Sequence, residues 1–124
     1  MHAEDATRRV DRVAWDRGTI ERGPDLVVCE EPLEIRVNGA PVAVLMRTPG
    51  HDEALVRGFL VSERIVAGPE QIASVRACRV VETPEAEGNV MLAVLRDDAP
   101  FDLARFRRNL YSTSSCGICG KASI

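Results

Sequence analysis

Between residues 33 and 37 apolar and polar side chains alternate without a break, Leu33-Glu34-Ile35-Arg36-Val37, which is the period of a strand with one face on a core. Asn38-Gly39 follows, a pair suited to the two positive-φ positions of a type I′ turn, and Val42 to Met46 returns as a more apolar strand. Pro41 has no N–H to give a ladder, so its side of the returning strand belongs at an edge or beside the turn. Upstream, Leu26-Val27-Val28-Cys29 reads as a strand within Asp25 to Glu31, ended or bent by Pro32. Downstream the period lengthens: Leu55 and Phe59, flanked by Val56 and Leu60, form a helical stripe that can lie across the hairpin. Thr48-Pro49 predicts an N-cap followed by proline at the first helical position, and Asp52 and Glu53 place negative charge at the positive helix end. A helix is expected over residues 49–64, with Gly58 permitting close approach to the sheet.

After Gly68-Pro69, residues 72–81 and 89–95 read as two strands joined by the polar Glu82 to Gly88 segment, a second hairpin. Asp102 to Leu110 predicts a short helix with Phe101, Leu103, Phe106 and Leu110 inward. Residues 1–24 show no sustained period and equal numbers of opposite charges, so a loosely ordered leader is expected, with Val10, Val13 and Trp15 as a candidate short strand. The fold class is α+β, a small mixed or antiparallel sheet of hairpins packed on one principal helix. The expected divisions are a leader at 1–24, an α+β domain at 25–112 and a separate terminal stretch at 113–124.

With 124 residues, 45% of them apolar and 28% charged, the chain has room for one modest core. A net charge of -3 argues against a nucleic-acid partner, since only Arg105, Arg107 and Arg108 approach a basic cluster; they read as a solvated helix face. No apolar run approaches membrane length and no secretory signal is visible, which points to a cytoplasmic protein without a membrane partner. In that compartment four cysteines, two of them in a CxxC, indicate metal, redox or sulfur chemistry more than a disulfide framework. Cys29 and Cys78, in apolar surroundings, read as small buried hydrophobes.

The chemistry concentrates in Ser114-Ser115-Cys116-Gly117-Ile118-Cys119-Gly120-Lys121. Gly117 and Gly120, with no Cβ, let a partner's reactive atom approach Cys116 closely. Fifteen of the sixteen basic residues are Arg, and the one Lys, Lys121, stands beside the cysteines, where a compact ammonium would lower a thiol pKa. If a helix starts near Gly120, its unpaired N–H groups would add to that effect.

Four stretches carry a resemblance: Glu31 to Gly39, Met46-Arg47-Thr48-Pro49-Gly50-His51-Asp52-Glu53, Gly58-Phe59-Leu60-Val61-Ser62-Glu63, and Ser114 to Lys121. In this order, over residues 30–124, the chain resembles the formate dehydrogenase accessory sulfurtransferase family (FdhD/NarQ). It departs from the family's pattern at Arg64, where glycine commonly follows Ser-Glu at the helix end. The resemblance implies a sulfur carrier that takes sulfur from a cysteine desulfurase and delivers it to the molybdenum cofactor, bis-molybdopterin guanine dinucleotide, before insertion into formate dehydrogenase. It implies that Cys116 bears the persulfide, with Cys119 as its partner and Lys121 beside them. It also implies that this is the N-terminal half of a family member, ending at the start of a truncated second domain like cytidine deaminase in fold, and inactive as a sulfurtransferase on its own. A homodimer is compatible with this reading.

Other readings of the same residues differ in kind. A CxxC is also half of a zinc knuckle, and a non-enzymatic zinc-stabilised module would draw further ligands from Cys29, Cys78, His51 or a second copy. His51-Asp52-Glu53 with Cys116 and Cys119 superficially completes the HxE and CxxC of zinc deaminases, though Ser115 stands where that signature has proline. Gly120-Lys121 is not the end of a phosphate-binding loop, because Ala122 replaces the required Ser or Thr. A resident metal is therefore not expected.

Overall fold

A computed structural model gives the fold and describes residues 6–102 and 104. The elements in order are β1 (Thr7–Asp16), β2 (Thr19–Val28), β3 (Glu31–Val37), β4 (Ala40–Arg47), α1 (Asp52–Ser62), β5 (Ile72–Ala77) and β6 (Val90–Leu95), with single 3-10 turns at Pro69–Gln71 and Pro84–Ala86. β3 to β6 form one four-stranded sheet in the order β4-β3-β6-β5.

The Asn38-Gly39 hairpin is present as expected: Val37 pairs with Ala40, and both turn residues have positive φ, 51° and 84°. A register shift between Ile35 and Arg36 brings Pro41 opposite Arg36, on the sheet's edge strand. Pro32 does not end a strand but is the second residue of β3. The Glu34 N–H bonds Asn89 O at 2.8 Å on the β6 side, and Pro32, two residues earlier, faces the same way beyond the first β6 pair. Its missing N–H therefore costs no ladder bond.

β5 and β6 pair antiparallel, as the second hairpin requires. The sequence pattern did not show that β6 also runs parallel to β3, with Glu34 opposite Val90 and Val37 opposite Ala93. The chain from β4 through α1 to β5 supplies the long connection that a parallel pair needs. On one sheet face Leu33, Ile35, Val37, Met91 and Ala93 meet Val56, Phe59 and Leu60 of α1 in a single buried cluster. Each of these side chains larger than alanine contributes on the order of 1.5–3 kcal/mol by leaving water. The opposite face also buries Glu34, Val44 and Val90.

Several expectations are corrected. The leader at 1–24 is not loosely ordered over its described part: residues 7–16 and 19–28 form a ten-pair antiparallel ribbon, and the boundary at 24/25 falls inside β2. Its signal was the Arg17-Gly18 pair, both at positive φ, 49° and 91°, which closes the ribbon as Asn38-Gly39 closes the other hairpin. Leu26 and Val28 lie in that ribbon and are exposed. Cys29 and Cys78 are half-buried, not core. Gly58 faces outward, and a Cβ there would meet nothing within 4 Å, so it serves no close helix–sheet approach.

The helix starts three residues later than expected. His51 holds the N-cap position without a side-chain cap bond, although its carbonyl accepts the Leu55 N–H at 2.9 Å. Gly50, at φ 137°, takes a conformation closed to helices and keeps Thr48-Pro49 outside α1. The C-terminus is a Schellman turn, with Arg64 N–H to Val61 O at 3.1 Å and Ile65 N–H to Leu60 O at 2.9 Å. Arg64 itself takes the left-handed φ of 57°. The expected helix over 102–110 and the start of a deaminase-like domain lie outside the described residues. No helix among the described residues is long and apolar enough to cross a membrane.

Candidate functional site

Cys116, Cys119 and Lys121, the residues to which the sequence assigns chemistry, lie outside the described residues, as do Arg105, Arg107 and Arg108. What is described is the frame built by the other motif segments around the two ends of α1.

At the N-terminal end Arg47 closes β4 and is 7% exposed. Its Nε and Nη2 donate to the two Asp52 carboxylate oxygens at 2.9 and 3.1 Å. The same Nη2 donates to Gly88 O at 3.1 Å, and Nη1 donates to Glu31 O at 3.4 Å. One planar fork thus ties the start of β3, the end of β4, the first turn of α1 and the loop before β6, which a point-charge Lys would not do. Sequence reasoning passed over this residue; the signal was an Arg ending an apolar strand five residues before an Asp.

Asp52 and Glu53 do occupy the first turn of α1, as expected. Both are committed to guanidinium groups, Asp52 to Arg47 and Glu53 to Arg57 Nε at 3.0 Å one turn later. They line, with the exposed His51, Gly50, Ala54 and Arg57, a shallow pocket of about 360 Å³. Glu53 is thereby held in a helix-surface pair, an unfavourable starting point for a general acid or base of the deaminase type. Among the described residues no group of three or more His, Cys, Asp or Glu side chains is placed to hold a metal ion.

At the C-terminal end Arg96 N–H bonds Gln71 O at 2.9 Å and Ala99 N–H bonds Arg96 O at 3.0 Å, turning the chain back after β6. Pro100, Phe101 and Asp102 then run beside the Schellman turn and, with Val61, Arg64, Val66 and Gln71 among others, line an open groove of about 990 Å³.

Arg36, Glu34 and Cys78 form a second cluster of ionisable side chains. Arg36 Nε donates to the buried Glu34 carboxylate, and this bond holds the Arg36 guanidinium above its usual pKa, against the partial burial that pulls the other way. Cys78 lies near enough to add to that rise, and its Sγ donates to Val80 O at 3.0 Å. Cys29 and Cys78 are both half-buried, the first in the link between β2 and β3 and the second just after β5.

Comparison with known proteins gives the remaining evidence. The model of the FdhD/NarQ family matches residues 28–124, beginning at the last residue of β2 and running through the cysteine motif. The chain is 46% identical over 123 residues to the sulfur carrier protein FdhD of Mycobacterium tuberculosis, an alignment covering 96% of this chain and 44% of that protein. It is 41% identical over 118 residues to the protein of the same name from Streptomyces avermitilis, covering 86% and 38%. A crystal structure of a formate dehydrogenase accessory protein from Desulfotalea psychrophila superposes with a TM-score of 0.61 at 18% identity, over 73% of this chain and 37% of that one, and shares its fold. The chain spans less than half the length of the curated relatives it matches.

Proposed function

The chain belongs to the FdhD/NarQ family, and from that premise we propose that it is the sulfur-receiving part of a carrier serving formate dehydrogenase maturation, with Cys116 as the residue that holds the sulfur. The observation that supports this most directly is that the family match continues through Ser114 to Lys121, the glycine-flanked CxxC. The donor is a cysteine desulfurase carrying a persulfide. The Cys116 thiolate attacks the outer sulfur, a Cys116 Sγ–S bond forms, the donor's S–S bond breaks, and the donor cysteine leaves as a thiolate. No external oxidant is needed.

Lys121 favours the attacking thiolate by its positive charge, and the glycines leave Cys116 open to a second protein. Cys119 releases the sulfur when a disulfide is formed: its thiolate attacks Cys116 Sγ, the Cys116–Cys119 bond forms and hydrosulfide departs. The acceptor in this proposal is the molybdenum cofactor, bis-molybdopterin guanine dinucleotide, before its insertion into formate dehydrogenase. Because the chain spans less than half of its relatives, receiving and holding sulfur is assigned to it, and delivery to the family-length protein.

Incubation with a cysteine desulfurase and cysteine tests this, followed by peptide mass mapping of the parent, Cys116→Ala and Lys121→Gln. One added sulfur atom at Cys116 is expected, absent in Cys116→Ala and slower to appear in Lys121→Gln at neutral pH. Sulfur found only at Cys29 or Cys78, or equal loading of Cys116→Ala, refutes the assignment. Stoichiometric zinc bound through Cys116 and Cys119 in place of sulfur would favour the structural-module reading instead.

A further inference from the structure

On the reading that Cys116 holds the sulfur and Cys119 expels it, each delivery leaves the carrier oxidised. Sulfur enters as the outer atom of a persulfide and leaves as hydrosulfide, two electrons richer, and those electrons come from the two motif thiols as they join. The chain then has no thiolate at Cys116 with which to attack the next donor. Its other two cysteines are Cys29 and Cys78, both free and half-buried, and they do not make an internal reductant. The Cys78 N–H bonds Val90 O at 2.8 Å, and Val90 pairs with Glu34, so Cys78 lies two strands across the sheet from β3, about 10 Å in that direction alone. Cys29 stands ahead of β3, whose first residue, Glu31, is itself three residues short of the Glu34 row, and its N–H is bonded to Ala6 O at 2.8 Å. Cysteines join only where their Cα atoms come within about 7 Å, so these two are not a pair that can close and pass its electrons to the motif.

We propose that the oxidised motif is the substrate of an external dithiol reductant, so that the carrier alternates between two classes of protein, a persulfide donor and a dithiol–disulfide exchange partner. The reductant's first thiolate attacks Cys119 Sγ, an intermolecular S–S bond forms, the Cys116–Cys119 bond breaks and Cys116 leaves as the thiolate that the next donor needs. The reductant's second thiolate attacks its own sulfur in the intermolecular bond, closes a disulfide within the reductant and frees Cys119. Two thiols of the reductant are oxidised and two of the motif are recovered, so atoms and electrons balance. A monothiol serves poorly, because its mixed disulfide with Cys119 is attacked by the neighbouring Cys116 before a second monothiol arrives. Two cysteines at i, i+3 have the spacing of motifs that exchange disulfides in this way, and Gly117 and Gly120 leave the sulfurs open to a protein partner.

The test loads the reduced chain with a cysteine desulfurase and cysteine, removes both by gel filtration, and raises the pH through the ordinary thiol range, about 8.5, where the Cys119 thiolate forms. One hydrosulfide per chain should be released, and the peptide containing Cys116 and Cys119 should lose two hydrogens by mass. A second loading at neutral pH should fall about tenfold or more, and dithiothreitol, removed before reloading, should restore it, whereas glutathione at equal thiol concentration should restore less than about a tenth. Cys119→Ser should load once and keep its sulfur through the same pH change. A parent chain that never loads at Cys116 overturns the carrier reading itself. Normal loading followed by release without a Cys116–Cys119 disulfide, or a second loading equal to the first with no reductant added, overturns this inference alone. Equal recovery with glutathione overturns the assignment of a dithiol.

Discussion

Replacing Arg64 by glycine should stabilise the protein. Arg64 sits at the position after the cap of α1 with φ 57°, the left-handed region, held there by the Ile65 N–H to Leu60 O and Arg64 N–H to Val61 O bonds. Ile65 and Leu60, which the turn brings together, are both in the core, so the backbone is not free to relax. A non-glycine residue in this conformation carries a steric penalty of about 1–2 kcal/mol. Glycine removes it but gives the unfolded chain more freedom, worth about 0.5–1 kcal/mol in the other direction. The difference is a gain of about 0.5–1 kcal/mol, or roughly 2–8 °C in Tm for a domain of this size. Thermal unfolding followed by far-ultraviolet circular dichroism measures it, with Arg64→Ala as control. Alanine keeps the left-handed strain and should leave Tm nearly unchanged. An Arg64→Gly variant that melts at or below the parent would show that the arginine side chain stabilises more than its backbone costs. Equal gains for glycine and alanine would locate the effect in the charge.

Two other outcomes follow from the helix and its anchor. Asp52→Ala leaves the Arg47 guanidinium, 7% exposed, with two carbonyl partners and, at 3.8 Å, only the half-exposed Glu31 carboxylate, and should cost about 3 kcal/mol or somewhat less in urea unfolding, at or below the low end for breaking a buried pair because Glu31 remains and Asp52 is itself partly exposed; a loss below about 0.5 kcal/mol, the ordinary value of a surface pair, would show that the clamp is not structural. Gly58→Ala adds a methyl group where a Cβ meets nothing within 4 Å, in a helix interior, and should gain about 0.5–1 kcal/mol in the same assay; a loss would mean that the outward face of α1 is covered.

Short-range rules located what short-range physics decides. Alternation at Leu33 to Val37 with an Asn-Gly pair determines a hairpin locally, and the stripe of Val56, Phe59 and Leu60 determines a helix face. The errors arise where a contact distant in sequence overrides a local preference. Thr48-Pro49 has the composition of a helix start, but Arg47 must reach Asp52, Glu31 and Gly88 at once, and Gly50 supplies the turn that lets it. The parallel pairing of β3 with β6 joins residues more than fifty positions apart and leaves no local trace. The ribbon is legible only in pieces, Val10, Val13 and Trp15 as one candidate strand and Leu26 to Cys29 as another, because Arg9, Asp11 and Arg22 interrupt the apolar series on the face that carries its apolar side chains.

The four stretches that make the family recognisable do not all serve the same end. Glu31 to Gly39 is β3 and its turn, central to the sheet. Met46 to Glu53 is the clamp, in which Arg47 and Asp52 join four parts of the chain and the glycine permits the bend between them. Gly58 to Glu63 contributes Phe59 and Leu60 to the buried face of α1 and leads into its Schellman turn. Each is accounted for by folding alone, with no reference to sulfur. The core cluster under a clamp of this kind specifies one arrangement of the helix ends, and the groove lined by Phe101 and Asp102 is set by the position of one of them. The proposed sulfur chemistry therefore falls to the fourth stretch, whose sequence sets Cys116, Cys119 and Lys121 among glycines and serines. Substitution of the buried residues of the first three stretches, such as Ile35, Arg47 or Leu60, should lower stability and sulfur loading together, whereas substitution of Cys116 should abolish loading with the melting temperature unchanged.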